Sequence, residues 1–166
     1  MMTATIYSEK ELFNLLSQIP DPEIPVINIQ ELGVLRNVRT ENGKVLVEMT
    51  PTYSGCPALD AIEHEIISQL HSHGIEDVEV KKILSPAWTT DWLSDGAKEK
   101  LRKFGIAPPE KSTSDFNVLL GKKKNIVCPH CGSENTEMIS MFGSTACKAL
   151  YKCNNCTEPF DYFKCI

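Results

Sequence analysis

The stretch MTPTYSGCPALDAIEHEIISQL, residues 49–70, connects the end of a predicted β-strand to a predicted helix. In its second half, apolar residues recur at the spacing of one helix face: Leu59, Ile62, Ile66 and Leu70. If Pro57 is the first helical residue, Cys56 is the N-cap. A thiol there faces the positive end of the helix dipole, which favours its thiolate form.

These residues leave two interpretations of Cys56 open. In one, its thiolate binds a soft metal or an Fe–S intermediate, or attacks an electrophile. In the other, Cys56 is simply buried, as free cysteines usually are. Two carboxylates lie in the preceding DPEIP loop, Asp21 and Glu23. They are either functional acids or turn formers held by the flanking prolines.

The neighbouring segments predict a small domain of short helices and strands. Residues 7–19 and 94–105 have helical spacing, and Asn42-Gly43 is a strong hairpin turn between two alternating runs. Residues 76–84 predict a third strand. The polar start and lysine run of residues 110–125 predict a linker between a domain of residues 1–109 and a cysteine-rich domain of residues 126–166.

Six of the seven cysteines lie in that second domain. Two C-x2-C pairs stand 21 residues apart (132–152), just beyond the usual range for a four-cysteine site: Cys128 and Cys131, then Cys153 and Cys156. Four thiolates suit a tetrahedral Zn²⁺, although iron accepts the same ligands. Cys147 and Cys165 are interpreted as buried spares rather than ligands.

The composition narrows the range of partners. The chain has 166 residues and a net charge of −5, which disfavours nucleic-acid binding. No apolar run reaches the roughly 20 residues of a membrane span, and the first residues lack the pattern of a secretory signal. We therefore expect a cytoplasmic protein with no nucleic-acid or membrane partner, in which paired cysteines indicate metal before disulfides.

Longer motifs carry a resemblance. DPEIPVINIQELGVLRNV (21–38) and TPTYSGCP (50–57) resemble the SufT-like metal–sulfur cluster biosynthesis family. SPAWTTDWLSDGAKEKLRKFGIAPP (85–109) and the cysteine-rich segment 128–166 resemble the D subunits of phenylacetyl-CoA 1,2-epoxidase systems. The resemblance implies an α+β fold, with a small mixed β-sheet and flanking helices followed by a zinc-ribbon-like β domain. It also implies that Cys56 is the functional thiol, with Asp21 and Glu23 nearby.

The same resemblance implies an accessory or maturation subunit rather than an enzyme. Its expected clients are a reductase with a [2Fe–2S] cluster and a di-iron oxygenase, where it assists Fe–S cluster or metal-centre assembly. The implied cofactors are Zn²⁺ at the four cysteines and a transient Fe–S cluster at Cys56. A homodimer is a further expectation.

Three other functions remain open. The first is electron transfer through a rubredoxin-like iron site in the cysteine-rich segment, and the second is a thiol enzyme that uses Cys56. The third, a zinc-ribbon nucleic-acid binder, is disfavoured by the acidic balance. Trp88 and Trp92 are either interface anchors or core residues.

Overall fold

A computed structural model describes residues 7–109 and 126–164. The chain divides into two compact units between Trp88 and Thr89. The elements of the first unit are α1 (Glu9–Leu16), β1 (Leu35–Glu41), β2 (Lys44–Met49), α2 (Ala58–Ser72) and β3 (Val78–Lys82). Those of the second are a 3₁₀ turn (Thr90–Trp92), α3 (Asp95–Lys103), β4 (Ile106–Ala107), β5 (Thr136–Ser140), β6 (Lys148–Cys153) and β7 (Pro159–Phe163). No helix in the described residues is long and apolar enough to cross a membrane.

The first unit contains a three-stranded mixed sheet in the order β1-β2-β3. β1 and β2 form the predicted hairpin, in which Asn42 (φ 52°) and Gly43 (φ 85°) supply the positive dihedrals that such a turn requires. α2 then crosses over, so that β3 pairs parallel to β2. The predicted mixed sheet with flanking helices is therefore confirmed.

The helices of this unit are placed by caps and apolar faces. Ser8 forms a capping box with Glu11, and α1 buries Leu12 and Leu16. The predicted apolar face of α2 is buried as expected: Leu59, Ile62, Ile66 and Leu70. Gly74, at φ 78°, donates its N–H to the carbonyl of His71, which ends the helix in the left-handed conformation that glycine tolerates.

The second unit contains a four-stranded sheet in the order β4-β7-β6-β5. β4 pairs parallel to β7, and the other neighbours are antiparallel. One side of the sheet carries an aromatic core, in which Tyr151 stacks on Phe160 and meets Tyr162 edge to face. This β domain, with its four-cysteine cluster, confirms the predicted ribbon-like architecture.

The two compact units do not divide where the sequence pattern changes. Sequence places the first domain at residues 1–109, whereas residues 89–109 belong to the second compact unit, where β4 pairs with β7. The domain limits drawn from sequence stay a prediction. The predicted linker, residues 110–125, and Cys165 lie outside the described residues.

The two tryptophans have different environments. Trp88 is 6% exposed, and its Nε1 donates to the carbonyl of Leu32 at 2.8 Å within the first unit. Its role is therefore core packing rather than that of an exposed interface anchor. Trp92 is half-buried at the end of the 3₁₀ turn.

Candidate metal centre and thiol site

Four sulfur atoms of the second unit lie within 4.8 Å of one another: those of Cys128, Cys131, Cys153 and Cys156. The Sγ atoms of Cys128 and Cys156 are 3.7 Å apart, and those of Cys131 and Cys153 are 3.5 Å apart. A tetrahedron with Zn–S bonds of ~2.3 Å has S···S edges of about 3.8 Å. The predicted ligands therefore form a set that fits a tetrahedral thiolate-bound ion.

Backbone turns aim each pair of thiols at the centre. In the first, Gly132 (φ 75°) donates to the carbonyl of Cys128 at 2.9 Å. In the second, Cys153 donates to the carbonyl of Glu158 at 3.0 Å, and Thr157 takes the left-handed conformation (φ 65°). Cys153 ends β6, so the sheet itself fixes one side of the cluster.

A link between the two turns was not predicted from the sequence. Asn135 lies just beyond the first pair, and its carbonyl accepts from the backbone N–H of Asn154 at 2.9 Å. Its side-chain Nδ2 donates to Oδ1 of Asn155 at 3.1 Å. Asn154 and Asn155 are the two residues between Cys153 and Cys156. These bonds hold the two cysteine turns together beside the sulfur cluster.

The electrostatics of the cluster favour a bound cation. The backbone N–H of Cys156 donates to the sulfur of Cys153, which lowers the pKa of that thiol to about 6. Glu158 N–H lowers the pKa of Cys156, but burial and the neighbouring thiols outweigh it and raise the value to about 12. Burial also raises the pKa of Cys128. Four thiolates this close together would repel one another, and a bound cation would balance their charge.

Two nearby candidates lie outside the sulfur cluster. His130, between the first two cysteines, is exposed and is not one of the clustered ligands. Cys147 is buried, and its sulfur lies 3.0 Å from the hydroxyl of Thr145. The position of Cys147 agrees with its interpretation as a buried spare rather than a ligand.

In the first unit, Cys56 lies in the loop between β2 and α2 and is half-buried. Its predicted position as N-cap is wrong, because α2 begins at Ala58 and Pro57 is the N-cap. The reason is a tight turn: the carbonyl of Cys56 accepts from the N–H of Leu59, three residues on, at 3.2 Å. The thiol therefore lies just before the first turn of the helix, and its functional role stays a prediction.

The acidic loop has a clear structural basis. Asp21 is 5% exposed, and its Oδ1 accepts from the backbone N–H groups of Glu23 at 2.9 Å and Ile24 at 2.8 Å. Its own N–H donates to the carbonyl of Ile27 at 2.9 Å. Asp21 thus shapes the loop, as the turn-former interpretation expects, while Glu23 is half-buried. A functional role for either carboxylate stays a prediction.

The sheet brings the acidic loop and the thiol loop to the same end. Residues 20–34 lead into β1, and Thr50, at the end of β2, donates to the carbonyl of Val34 at 2.9 Å. Ile83, just after β3, donates to the carbonyl of Met49 at 2.7 Å. The segments that carry Asp21, Glu23 and Cys56 therefore leave the sheet where β1 begins and β2 and β3 end.

The loop-shaping role of Asp21 can be tested by comparing the stabilities of two variants, Asp21→Ala and Asp21→Asn. Asp21→Ala removes the acceptor of two backbone bonds and is expected to lower the free energy of unfolding by about 1–3 kcal/mol. Asp21→Asn keeps an Oδ1 acceptor and is expected to lose about 1 kcal/mol or less. Urea denaturation of the two variants measures the difference. Equal destabilisation by alanine and asparagine would contradict the loop-shaping role.

An ion-pair network beside the thiol loop also went unpredicted. Lys82, the last residue of β3, reaches Oδ1 of Asp60 at 2.7 Å and Oε2 of Glu63 at 3.0 Å. Both acids lie near the start of α2, so the lysine connects the sheet to the helix that follows Cys56. The hydrogen bond lowers the pKa of Asp60 and raises that of Lys82. No local sequence signal marks this pairing, because Lys82 lies 22 residues after Asp60 in the chain.

These pKa shifts predict how the stability lost in the Lys82→Met variant depends on pH. The pair with Asp60 stabilises the fold above the ordinary Asp pKa of 3.8, and this contribution is lost as pH falls through the lowered folded-state value. The raised pKa of Lys82 keeps the contribution intact up to its ordinary value of 10.5. We expect a small, salt-sensitive loss of stability at pH 7 that shrinks below pH 3.8. Thermal unfolding across pH measures it; a loss that does not change with pH would contradict it.

Comparison with known proteins agrees with this two-part structure. Residues 9–82 match the family described as iron-sulfur cluster assembly protein, and residues 112–164 match the PaaD zinc beta ribbon domain. An Fe-S protein maturation auxiliary factor of Porphyromonas gingivalis (strain W83) is 34% identical over 58% of this chain and 92% of that one. A crystal structure of the domain DUF59 from Bacillus anthracis superposes with a TM-score of 0.51 at 30% identity, covering 56% of this chain and 90% of that one.

One relative covers both parts. A protein of Escherichia coli (strain K12), named as a candidate D subunit of 1,2-phenylacetyl-CoA epoxidase, is 49% identical over 156 residues. The alignment spans 94% of this chain and 92% of that one. The chain therefore belongs to the PaaD-like family, in which an iron–sulfur cluster assembly domain is followed by a zinc ribbon.

Proposed function

We propose that this chain is a non-catalytic maturation subunit of a phenylacetyl-CoA epoxidase system and works in the cytoplasm. Its clients are the partner subunits that carry metal: a reductase with a [2Fe–2S] cluster and an oxygenase. The observation that supports the proposal most is the alignment over nearly the whole chain with the E. coli relative, together with the assembly-family match over residues 9–82.

In this scheme the first unit handles the cluster as cargo. Cys56 offers a half-buried thiol in a loop, so an incoming cluster can reach it without unfolding of the core. The acidic loop, shaped by Asp21, leaves the same end of the sheet. Cys56 would lose its proton on ligating a cluster iron, and Glu23 is the proposed carboxylate beside it.

The second unit has a structural role in the proposal. Its four cysteines hold Zn²⁺, which supplies folding free energy to a small β domain. Zn²⁺ is the proposed ion because tetrahedral four-thiolate ribbons are its usual structural site. Contact with the partner subunits is part of the proposal, and so is self-association into a homodimer, which sedimentation measures.

The assembly role is tested in cells that express the other epoxidase subunits with and without this chain. We expect the reductase purified from cells without the chain to contain less iron and sulfide per polypeptide, and the wild-type chain to restore both. A fully loaded reductase together with a fully metallated oxygenase in its absence would reject the proposal.

A second function is favoured by one observation. Cys131 is exposed and Cys156 is half-buried, so one edge of the sulfur cluster reaches the surface. Outer-sphere electron transfer through a rubredoxin-like iron site would need such an edge. Anaerobically purified protein distinguishes the two: a zinc site is colourless, whereas a ferric thiolate site absorbs visible light.

A further inference from the structure

Asn135 makes hydrogen bonds to both of the turns that carry the clustered cysteines. Its backbone N–H donates to the hydroxyl of Ser133 at 3.0 Å, and the carbonyl of Ser133 accepts from the N–H of Cys128 at 2.9 Å in the first turn. Toward the second turn, the carbonyl and Oδ1 of Asn135 accept from the backbone N–H of Asn154 at 2.9 Å and from its Nδ2 at 3.3 Å. The Nδ2 of Asn135 donates to Oδ1 of Asn155 at 3.1 Å. Every polar atom of Asn135 therefore has a partner in one turn or the other.

These bonds exceed what a turn-forming asparagine makes. A turn former bonds backbone groups a few positions away, because its side chain is short. The side chain of Asn135 instead reaches Asn154 and Asn155, which are 19 and 20 positions further along the chain. Asn135 is also exposed, so packing in the core does not explain its contacts. Its side chain is directed at the two-residue gap of the second cysteine pair.

The residues that Asn135 holds also contact one of the sulfur atoms. The backbone N–H groups of Cys156 and Asn155 donate to the sulfur of Cys153. The bond between the side chains of Asn135 and Asn155 therefore fixes a residue whose backbone orients a ligand atom. Residues that orient ligands in this way, without touching the ion, tune the affinity of a metal site.

Burial constrains the four ligands unequally. Cys128 and Cys153 are 1% and 0% exposed, and Cys153 also ends β6. Cys131 is exposed and Cys156 is half-buried. For these two ligands core packing is a weak constraint, so their positions depend on the hydrogen bonds of the turns. Asn135 lies four residues after Cys131, and its Nδ2 bonds the residue directly before Cys156.

We propose that Asn135 is a positioning residue of the metal centre, which keeps the two turns in register and thereby sets how tightly the four thiolates hold the ion. Metal binding and folding are coupled in a small domain of this kind. Bonds that exist only when the two turns are together therefore add to the apparent affinity for the ion. The inference rests on the metal site of the proposed function and assigns no role to Cys56.

The first test measures the metal affinity of the full chain. Zn²⁺-loaded protein is titrated with a chromogenic chelator until the ion is shared between the two. Asn135→Ala removes both side-chain bonds and is expected to weaken Zn²⁺ binding about tenfold. The matched control is Glu134→Gln, which changes the exposed neighbouring residue and is expected to bind as the wild type does. Equal affinities of Asn135→Ala and the wild type would overturn the proposal, whereas a wild-type chain that holds no metal would overturn the metal site itself.

Co²⁺ in place of Zn²⁺ separates positioning from a loss of stability. In a tetrahedral thiolate site, the visible absorption of Co²⁺ depends on the geometry of the ligands. At saturating Co²⁺, we expect Asn135→Ala to keep the circular dichroism of the wild type but to change the position or intensity of the visible bands. Glu134→Gln should change neither. A visible spectrum of Asn135→Ala identical to that of the wild type would reject the positioning role.

Variants of Asn155 test the bond itself. Asn155→Asp keeps a side-chain oxygen that can accept from Nδ2 of Asn135, so it is expected to bind Zn²⁺ more tightly than Asn155→Ala. In the double variant Asn135→Ala/Asn155→Ala, the loss of affinity should be smaller than the product of the two single losses, because both changes remove the same bond. Equal binding by Asn155→Asp and Asn155→Ala, or independent losses in the double variant, would reject the coupling. If Asn135→Ala does not fold at saturating metal, the comparison of Asn155→Asp with Asn155→Ala decides the proposal.

Discussion

Removal of the metal from the second unit is expected to unfold that unit. Binding of structural Zn²⁺ contributes on the order of 10–16 kcal/mol in small zinc domains, which matches or exceeds the whole stability of a typical domain. Once the ion is gone, no interaction of comparable strength replaces the metal–thiolate bonds of the buried residues Cys128 and Cys153. Cys128→Ser, or chelation of the wild type, should therefore abolish the dispersed NMR signals of β6 and β7.

The control for this experiment is Cys147→Ser. Cys147 is buried in the same unit, but its sulfur is not one of the four that cluster. Its variant should still bind one metal ion per chain and keep the signals of β6. If Cys128→Ser kept a folded second unit while metal analysis showed no bound ion, the structural role of the metal would be wrong.

Replacement of Cys56 by serine is expected to leave the fold intact and to abolish cluster delivery. Serine is close to cysteine in size, and Cys56 is only half-buried, so circular dichroism and thermal unfolding should change little. A hydroxyl is a poor ligand for a soft metal, so the client reductase should contain as little iron and sulfide as in cells that lack the chain.

The neighbouring residue Ser54 gives the matched control. It is exposed in the same loop, two residues before Cys56, and Ser54→Ala should support full cluster loading. A reductase loaded normally by Cys56→Ser would show that the thiol is dispensable. If Cys56→Ser and Ser54→Ala both lowered the iron and sulfide content of the reductase, the effect would belong to the loop rather than to the sulfur.

The sequence predicted the features that depend on local chemistry. The Asn42-Gly43 turn and the Gly74 helix end require positive φ, which few residues tolerate. The paired cysteines were found from their spacing, because a two-residue gap lets two sulfurs converge. Each of these signals lies within a few neighbouring residues, so no knowledge of the tertiary structure was needed.

The features that sequence reasoning missed depend on contacts between distant residues. The helix after Cys56 starts later than predicted because a tight turn, closed by the bond from the Leu59 N–H to the carbonyl of Cys56, leads into it. No residue type in the sequence marks where this turn becomes the helix. The bonds from Asn135 to Asn154 and Asn155 join segments about twenty residues apart. The ion pairs of Lys82 follow from the parallel register of β2 and β3, which α2 imposes.

The parallel pairing of β4 with β7 affects how the ribbon can be produced on its own. A fragment that starts at Ile126 would contain all four clustered cysteines but would leave the outer edge of β7 bare, since Ile106 and Ala107 occupy that edge in the intact chain. Bare edges recruit other chains, so such a fragment is prone to self-association. A fragment starting at Thr89 keeps the edge covered. For the same reason, grafting the cysteine-rich segment alone onto a foreign protein would transfer an incomplete sheet.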